Sequence, residues 1–142
     1  MNYTETSESL KDSGDFRNVY RFGKSAANRT LVLYVYKRAE RMKSLDRRRT
    51  PGSWKSAGEE KNRVGISVSK KVGNSVVRHH LCRLVRESYR LHDKEFVGGL
   101  DMIVIVRPGA RELTFSEFER ALLHVSRRAG VLKKEEGAEK SE

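Results

Sequence analysis

Alternating apolar residues predict three β-strands in this chain. The segment Thr30–Tyr36 alternates between two faces, with its leucines on one side and its tyrosines on the other. The segment Val64–Ser69 carries branched aliphatic residues on one face and Gly65, Ser67 and Ser69 on the other. That small, polar face either leaves room for a ligand or is an ordinary solvated sheet face. The segment Met102–Val106 is apolar throughout, as expected of a strand that is covered on both sides.

Apolar residues spaced three and four positions apart predict three helices. Asp12 or Ser13 caps the first, and Gly23 ends it. The second begins at Asn74 or Ser75, and its apolar stripe is Val77, Leu81, Leu84, Val85 and Ser88. The third begins at the T-x-x-E capping box of Thr114 and Glu117 and ends at Gly130.

The order helix, strand, strand, helix, strand, helix predicts an α+β domain in which helices pack on a small sheet. This domain spans residues 10–132, flanked by a polar N-terminus (1–9) and a charged tail (133–142) that are expected to be disordered. Residues 38–62 are dense in charge and lack apolar periodicity. They are interpreted as a long, mobile, basic insertion between two strands.

Composition limits the class of protein. The 142 residues suit one domain, and 30 Lys and Arg against 19 Asp and Glu give a net charge of +11. Such a basic domain favours phosphate binding, although a simply soluble basic protein or a membrane-surface binder remains open. The single cysteine, Cys82, excludes an intramolecular disulfide and a Cys-based zinc site. With no signal peptide and no apolar run of about 20 residues, the protein is expected to be cytoplasmic and to have no membrane partner.

Positive charge is concentrated between Arg63 and Leu91, a stretch with seven Lys or Arg and one acid, Glu87. Cations are disfavoured at the start of a helix because its unpaired N–H groups are already positive. A solvated helix face also alternates charges more often than this one does. The stretch therefore favours an RNA or DNA phosphate site over a solvated face.

Motifs for catalysis are missing from the sequence. Lys70 stands where a nucleotide-binding loop of the NTPase kind requires glycine, and no H-E-x-x-H or paired-carboxylate motif occurs. His79 and His80 diverge by about 100° on a helix and do not readily share a metal. No catalytic residue and no metal ligand is assigned to the protein.

Aromatic residues admit two interpretations. Phe16, Tyr20 and Tyr34 either stack on nucleic-acid bases beside the cations or pack in the core, and the sequence leaves both open. For Phe22, Phe115 and Phe118, core packing is the better interpretation.

The run RVGISVSKKVGNSVVRHHLCRLVRE resembles the protein subunit of bacterial ribonuclease P. That family has a strand ending in S-x-S-K-K, a Gly-Asn turn, and a helix that carries R-N-R and spaced basic residues. The segments DFRNVYRFG, ANRTLVLYVY, DMIVIVRPGA and LTFSEFERALLHV extend the resemblance over most of residues 10–130. The chain departs from the pattern at His79, His80 and Cys82, where the family usually has Asn, Arg and Lys.

The resemblance implies a ribosomal-protein-S5-domain-2-like two-layer sandwich and a role beside a catalytic RNA subunit. The holoenzyme removes the 5′ leader of precursor tRNA, and the RNA, with Mg²⁺ bound mainly to it, performs the chemistry. One protein is expected per RNA. The residues expected to bind the RNA subunit are Lys70, Lys71, Asn74, Arg78, His79, His80, Arg83 and Arg86. The residues expected to bind the leader are Phe16, Tyr20, Tyr34, Ser67 and Ser69.

The same charge pattern would also serve a general or ribosome-associated RNA-binding module without processing activity. A third alternative, a metal nuclease that acts without RNA, would require cleavage by the purified protein alone.

Overall fold

The computed structural model describes residues 7–38 and 61–133. These ranges contain five strands, three α-helices and two short 3₁₀ turns, Asp93–Glu95 and Pro108–Ala110. In chain order the strands and helices are β1 (Ser7–Ser9), α1 (Ser13–Phe22), β2 (Lys24–Ala27), β3 (Leu31–Lys37), β4 (Asn62–Val68), α2 (Ser75–His92), β5 (Leu100–Val106) and α3 (Phe115–Ala129).

The five strands form one mixed sheet in the order β1-β4-β5-β3-β2. Strands β1, β4 and β5 run parallel, and α2 connects β4 to β5. Strand β3 pairs antiparallel with β5, and β2 pairs antiparallel with β3. The connection through a helix is what two adjacent parallel strands require.

Helices cover both faces of the sheet. The larger core lies under α2 and α3, where Leu31, Met102 and Phe118 are among the fully buried residues. The smaller core lies on the opposite face, where Val19 of α1 meets Ile103. Each fully buried aliphatic or aromatic side chain stabilises the fold by about 1.5–3 kcal/mol, so the larger core supplies most of the stability.

The predicted α+β class and its six elements are confirmed, and the structure adds β1 and β2. The prediction of disorder for residues 1–9 is wrong for Ser7–Ser9, which pair with β4. Ser7 is fully buried, and its hydroxyl hydrogen-bonds to the Tyr89 hydroxyl at 2.7 Å and to the Asp93 carboxylate. A short polar strand held by such distant partners has no hydrophobic alternation to reveal it.

The ends of the predicted insertion also differ from expectation. Arg38 and Asn62 are both buried and tie the end of β3 and the start of β4 to the start of β5. Residues 39–60, like residues 1–6 and 134–142, lie outside the described part of the chain, and so do the predictions made for them.

Two predicted core aromatics lie at the surface. Phe118 is fully buried as expected, but the side chains of Phe22 and Phe115 are 49% and 37% exposed. Phe22 lies at the end of α1, and the centroid of its ring is 6.3 Å from that of the Tyr36 ring. The Arg21 guanidinium lies over the Phe22 ring. Phe115 begins α3, before the helix reaches the core. Apolar character alone did not distinguish these helix ends from the buried middle turns.

Candidate nucleic-acid interface

The turn between β4 and α2 presents two lysines to solvent. Lys70 and Lys71 are exposed, whereas Val72 next to them is fully buried and anchors the turn. The Ser69 hydroxyl accepts a hydrogen bond from the Lys71 backbone N–H, and the Asn74 side chain accepts one from Val77 N–H. Asn74 is thus the cap of α2, so its side-chain oxygen is already used in holding the helix start.

The exposed face of α2 is positive at its N-terminal end. His79, His80 and Arg83 are exposed, and the first turn contains no acid that would offset the helix dipole. Glu87 lies further along the helix and pairs with Arg90 at 2.8 Å, which lowers the pKa of the Glu87 carboxyl. We call Lys70, Lys71, Arg78, His79, His80, Arg83 and Arg86 the α2 basic surface.

Arg78 and Arg86 are only half-buried and line one flank of α2. The Arg78 Nε donates to the Gly73 carbonyl at 3.2 Å, while the Arg86 Nε is buried and has no hydrogen-bond partner among the described residues. Cys82 lies one helical turn from each arginine. Burial raises the pKa of the Cys82 thiol, and the two arginines offset this only in part, so Cys82 is a neutral thiol at pH 7.

Arg63, which the sequence groups with the exposed cations, is buried in an ion cluster instead. Its guanidinium binds both carboxylate oxygens of Asp101 at 2.8 and 2.7 Å and reaches the Asp15 carboxylate at 3.0 Å. Arg38 donates to the same Asp101 at 2.6 Å. Two cations and two anions cancel, so the cluster adds no charge to the α2 basic surface. It does fasten the first turn of α1 to the sheet.

On the opposite face of the sheet, aromatic side chains of α1 and β3 lie beside the small residues of β4. A Cβ placed on Gly65 would lie 2.5 Å from the Phe16 ring, so the ring rests directly on the backbone of β4. The Tyr20 and Tyr34 rings meet edge-to-face, with centroids 5.0 Å apart. Burial and the neighbouring Tyr34 raise the pKa of Tyr20, which therefore stays a neutral hydrogen-bonding phenol. We call Phe16, Tyr20, Tyr34 and Ser67 the α1 groove.

The predicted leader residues are only partly brought together. Ser67 is half-buried in β4, two positions beyond Gly65 and on the same face. Tyr20 is 44% exposed, and Phe16 and Tyr34 are half-buried, so their ring surface remains available for stacking. Ser69 follows the end of β4 and holds the lysine turn, as described above.

Sequence reasoning missed the residues that position α1. Asp15, Gly65 and Asp101 do so through contacts distant in sequence. One signal was available: Asp101 directly precedes the all-apolar run Met102–Val106, where an acid is buried only with a partner. Among the described residues, no group of three or more His, Cys, Asp or Glu side chains is placed to hold a metal ion. None of the described helices is both long and apolar enough to cross a membrane.

Comparison with known proteins extends this picture. The family model described as Ribonuclease P matches residues 5–130. The ribonuclease P protein component of Lachnoclostridium phytofermentans is 46% identical over 121 residues, covering 85% of this chain and 88% of that protein. The corresponding protein of Brevibacillus brevis is 39% identical over 127 residues, covering 89% and 86%.

Solved structures agree with the sequence matches. The Staphylococcus aureus RNase P protein superposes with a TM-score of 0.70 at 31% identity, covering 92% of this chain and all of that one. The Thermotoga maritima RNase P protein gives a TM-score of 0.66 at 26% identity, covering 85% and 96%. The family match spans nearly all of the folded domain, including the strand, turn and helix of the α2 basic surface, and the chain therefore belongs to the ribonuclease P protein family.

Proposed function

We propose that the protein binds the RNA subunit of ribonuclease P through the α2 basic surface and the 5′ leader of precursor tRNA through the α1 groove. Membership of the family makes the chain the protein part of an endoribonuclease that works with an RNA subunit. The division between two surfaces, and the assignment of precursor tRNA to one of them, are the proposal.

The observation that carries the first assignment is the uncompensated charge at the start of α2. Exposed Lys70, Lys71, His79, His80 and Arg83 surround a helix end that has no acid in its first turn. Phosphates would supply the missing negative charge and accept hydrogen bonds from the side chains. RNA backbone binding of this kind depends steeply on salt concentration.

The α1 groove has the chemistry of a single-strand site. Its exposed phenol and half-buried rings offer faces for stacking, which contributes about 1–3 kcal/mol per base. The hydroxyls of Ser67, Tyr20 and Tyr34 supply hydrogen bonds without adding charge. The groove and α2 lie on opposite faces of the sheet, so one protein would hold two segments of RNA at once.

Mg²⁺ is assigned mainly to the RNA in this proposal. The acids of the ion cluster, Asp15 and Asp101, already bind two guanidiniums, and Glu95 and Glu119 both bind His92. These carboxylates therefore do not fit a metal site. One protein per RNA subunit is the expected stoichiometry, because the described residues contain one α2 basic surface and one α1 groove.

The test is cleavage of precursor tRNA at low Mg²⁺ by the RNA subunit alone, the protein alone, and both together. We expect product only when the RNA is present and a higher kcat/KM when the protein is added. Cleavage by the protein alone would instead establish a metal nuclease.

A matched comparison separates processing from general RNA binding. The holoenzyme should bind precursor tRNA with a leader more tightly than mature tRNA, whereas a ribosome-associated module would bind both equally. Family membership does not favour a general RNA-binding module. Equal affinities for precursor and mature tRNA would support that alternative.

A further inference from the structure

A second group of exposed cations surrounds the turn between β2 and β3. The Asn28 Oδ1 accepts hydrogen bonds from the Thr30 and Leu31 backbone N–H groups at 2.9 and 2.8 Å, which closes the turn. The Asn28 Nδ2 donates to the Ala121 carbonyl of α3 at 2.9 Å. The turn is therefore fixed to α3.

The end of β5 joins the same corner. The Arg107 guanidinium donates to the Asn28 carbonyl at 3.0 Å, and the Arg107 N–H donates to Thr30 O at 2.9 Å. The His124 Nδ1 lies 3.2 Å from the Asn28 Nδ2, which is a donor, so Nδ1 is the acceptor.

Five exposed basic side chains lie either around Asn28 or along the stripe of α3 that contains His124. Arg120 and Arg128 lie one helical turn before and after His124, on the same stripe of α3. Of the others, Arg29 lies in the turn, Arg107 follows the end of β5, and His124 lies on α3. We call Arg29, Arg107, Arg120, His124 and Arg128 the Asn28 corner.

Little negative charge offsets this corner. Within residues 7–38 and 61–133, none of its four arginines forms an ion pair with a carboxylate. The acids of α3 are engaged elsewhere: Glu117 closes the capping box with Thr114, and Glu119 binds the His92 ring at 2.6 Å. Four guanidiniums that have no carboxylate partner among the described residues, on a fixed framework, are arranged to meet phosphates, which arginine binds in a bidentate manner.

We propose that the Asn28 corner is a second binding surface for the backbone of the RNA subunit. The inference rests on the proposed function and extends it to a surface outside the α2 basic surface and the α1 groove. Helices α2 and α3 cover the same face of the sheet and are joined by the hydrogen bond between His92 and Glu119. The α1 groove lies on the other face. Val68 of β4 and Leu31 of β3 both pair with Val106 of β5. The lysine turn and the Asn28 corner therefore lie at the same end of the sheet, so an RNA that contacts the α2 basic surface can continue onto the corner, whereas a leader in the α1 groove cannot.

The first test is the salt dependence of RNA-subunit binding by the double variant Arg29→Gln/Arg120→Gln. Loss of two phosphate contacts should make the negative slope of the log binding constant against log salt concentration shallower by about two. It should also weaken binding at physiological salt about tenfold. The matched control, Lys11→Gln/Lys94→Gln, removes two exposed cations away from the corner and should keep the wild-type slope. A wild-type slope for the corner variant would overturn the inference, and so would an equal loss in the control.

The second test locates the RNA directly. In a Cys82→Ser background, an iron–EDTA probe attached through Arg29→Cys should cleave the RNA subunit at positions that a probe attached through Lys94→Cys does not reach. Cleavage confined to the precursor tRNA, or absent from both RNAs, would overturn the inference.

The variant Arg83→Gln distinguishes the two proposals. If Arg83→Gln weakens assembly and the corner variant does not, the corner fails and the proposed function stands. If neither variant weakens assembly and the protein does not stimulate cleavage, the proposed function itself fails.

Discussion

At Gly65, strand β4 passes directly beneath the ring of Phe16. A methyl group at this position would lie 2.5 Å from the Phe16 Cζ, which is closer than two non-bonded carbon atoms approach one another. Glycine is therefore required by a neighbouring side chain rather than by its own backbone angles. The position of α1 against β4, and with it the placement of the α1 groove residues, depends on this contact.

We expect Gly65→Ala to lower the free energy of unfolding by about 1–3 kcal/mol, because the Phe16 ring must move out of its place against β4. Urea denaturation measures the loss. The double variant Gly65→Ala/Phe16→Leu should recover part of it, since leucine lacks the ring atoms that clash. No recovery would show that the alanine disturbs β4 itself.

Asp101 has a comparable role in the ion cluster. It binds Arg63 through both oxygens and Arg38 through one of them, all nearly excluded from water. Asp101→Asn should lower the free energy of unfolding by about 3–5 kcal/mol, because two buried guanidiniums would then share less negative charge. The exposed substitution Glu112→Gln is the control and should change stability by less than about 0.5 kcal/mol. A small effect of Asp101→Asn would mean that water enters the cluster.

Helices α2 and α3 are connected at their ends through His92. Its ring nitrogens lie 2.7 Å from the Glu95 carboxylate and 2.6 Å from that of Glu119, so only the protonated ring donates to both. Partial burial disfavours the charge, but the hydrogen bonds to Glu119 and Glu95 outweigh it and raise the pKa of His92. This link ties the C-terminal end of α2 to the N-terminal part of α3.

This link predicts a pH dependence of stability. Because the pKa of His92 is higher in the folded state, its contribution is full below the unfolded value of 6.5 and is lost as the pH rises through the folded value. The difference in unfolding free energy between wild type and His92→Gln should therefore be largest near pH 6. It should shrink as the pH rises through the pKa of His92 in the folded protein. Thermal or urea unfolding across this range measures it, and a constant difference would show that the ring binds as a neutral group.

At the scale of the whole molecule, the proposed RNA-binding surfaces lie on opposite faces of the sheet. The α2 basic surface and the Asn28 corner belong to the face covered by α2 and α3, and the α1 groove belongs to the other. The proposed function therefore predicts that a substitution on one face changes binding there without altering binding on the other.

We expect a crossed pattern when each face is altered alone. Arg83→Gln should lower the salt slope of RNA-subunit binding by about one and leave the preference for leader-bearing tRNA unchanged. Tyr20→Ala should reduce affinity for leader-bearing tRNA by about 1–3 kcal/mol and leave assembly unchanged. Equal losses of leader-bearing and mature tRNA in Tyr20→Ala would return Tyr20 to a packing role.

The sequence by itself determined the local features of this protein. Neighbouring residues indicate the cap at Thr114, the other two helix starts to within one residue, the alternation in β3 and the apolar run of β5, because the causes act within a few positions. The positive charge of α2 was equally visible, since it needs only a count along one helix face. These features were enough to predict the α+β class.

Tertiary structure alone decided which of those residues meet. It placed Arg63 in a neutral cluster rather than on the basic surface, gave Ser7 a partner 82 residues away, and brought Asn28, Arg107 and His124 to one corner. Such contacts depend on strand order and on which face of the sheet each helix covers. Neither leaves a periodic signal in the chain, because the sequence does not show whether an arginine will be buried or exposed once the sheet has assembled.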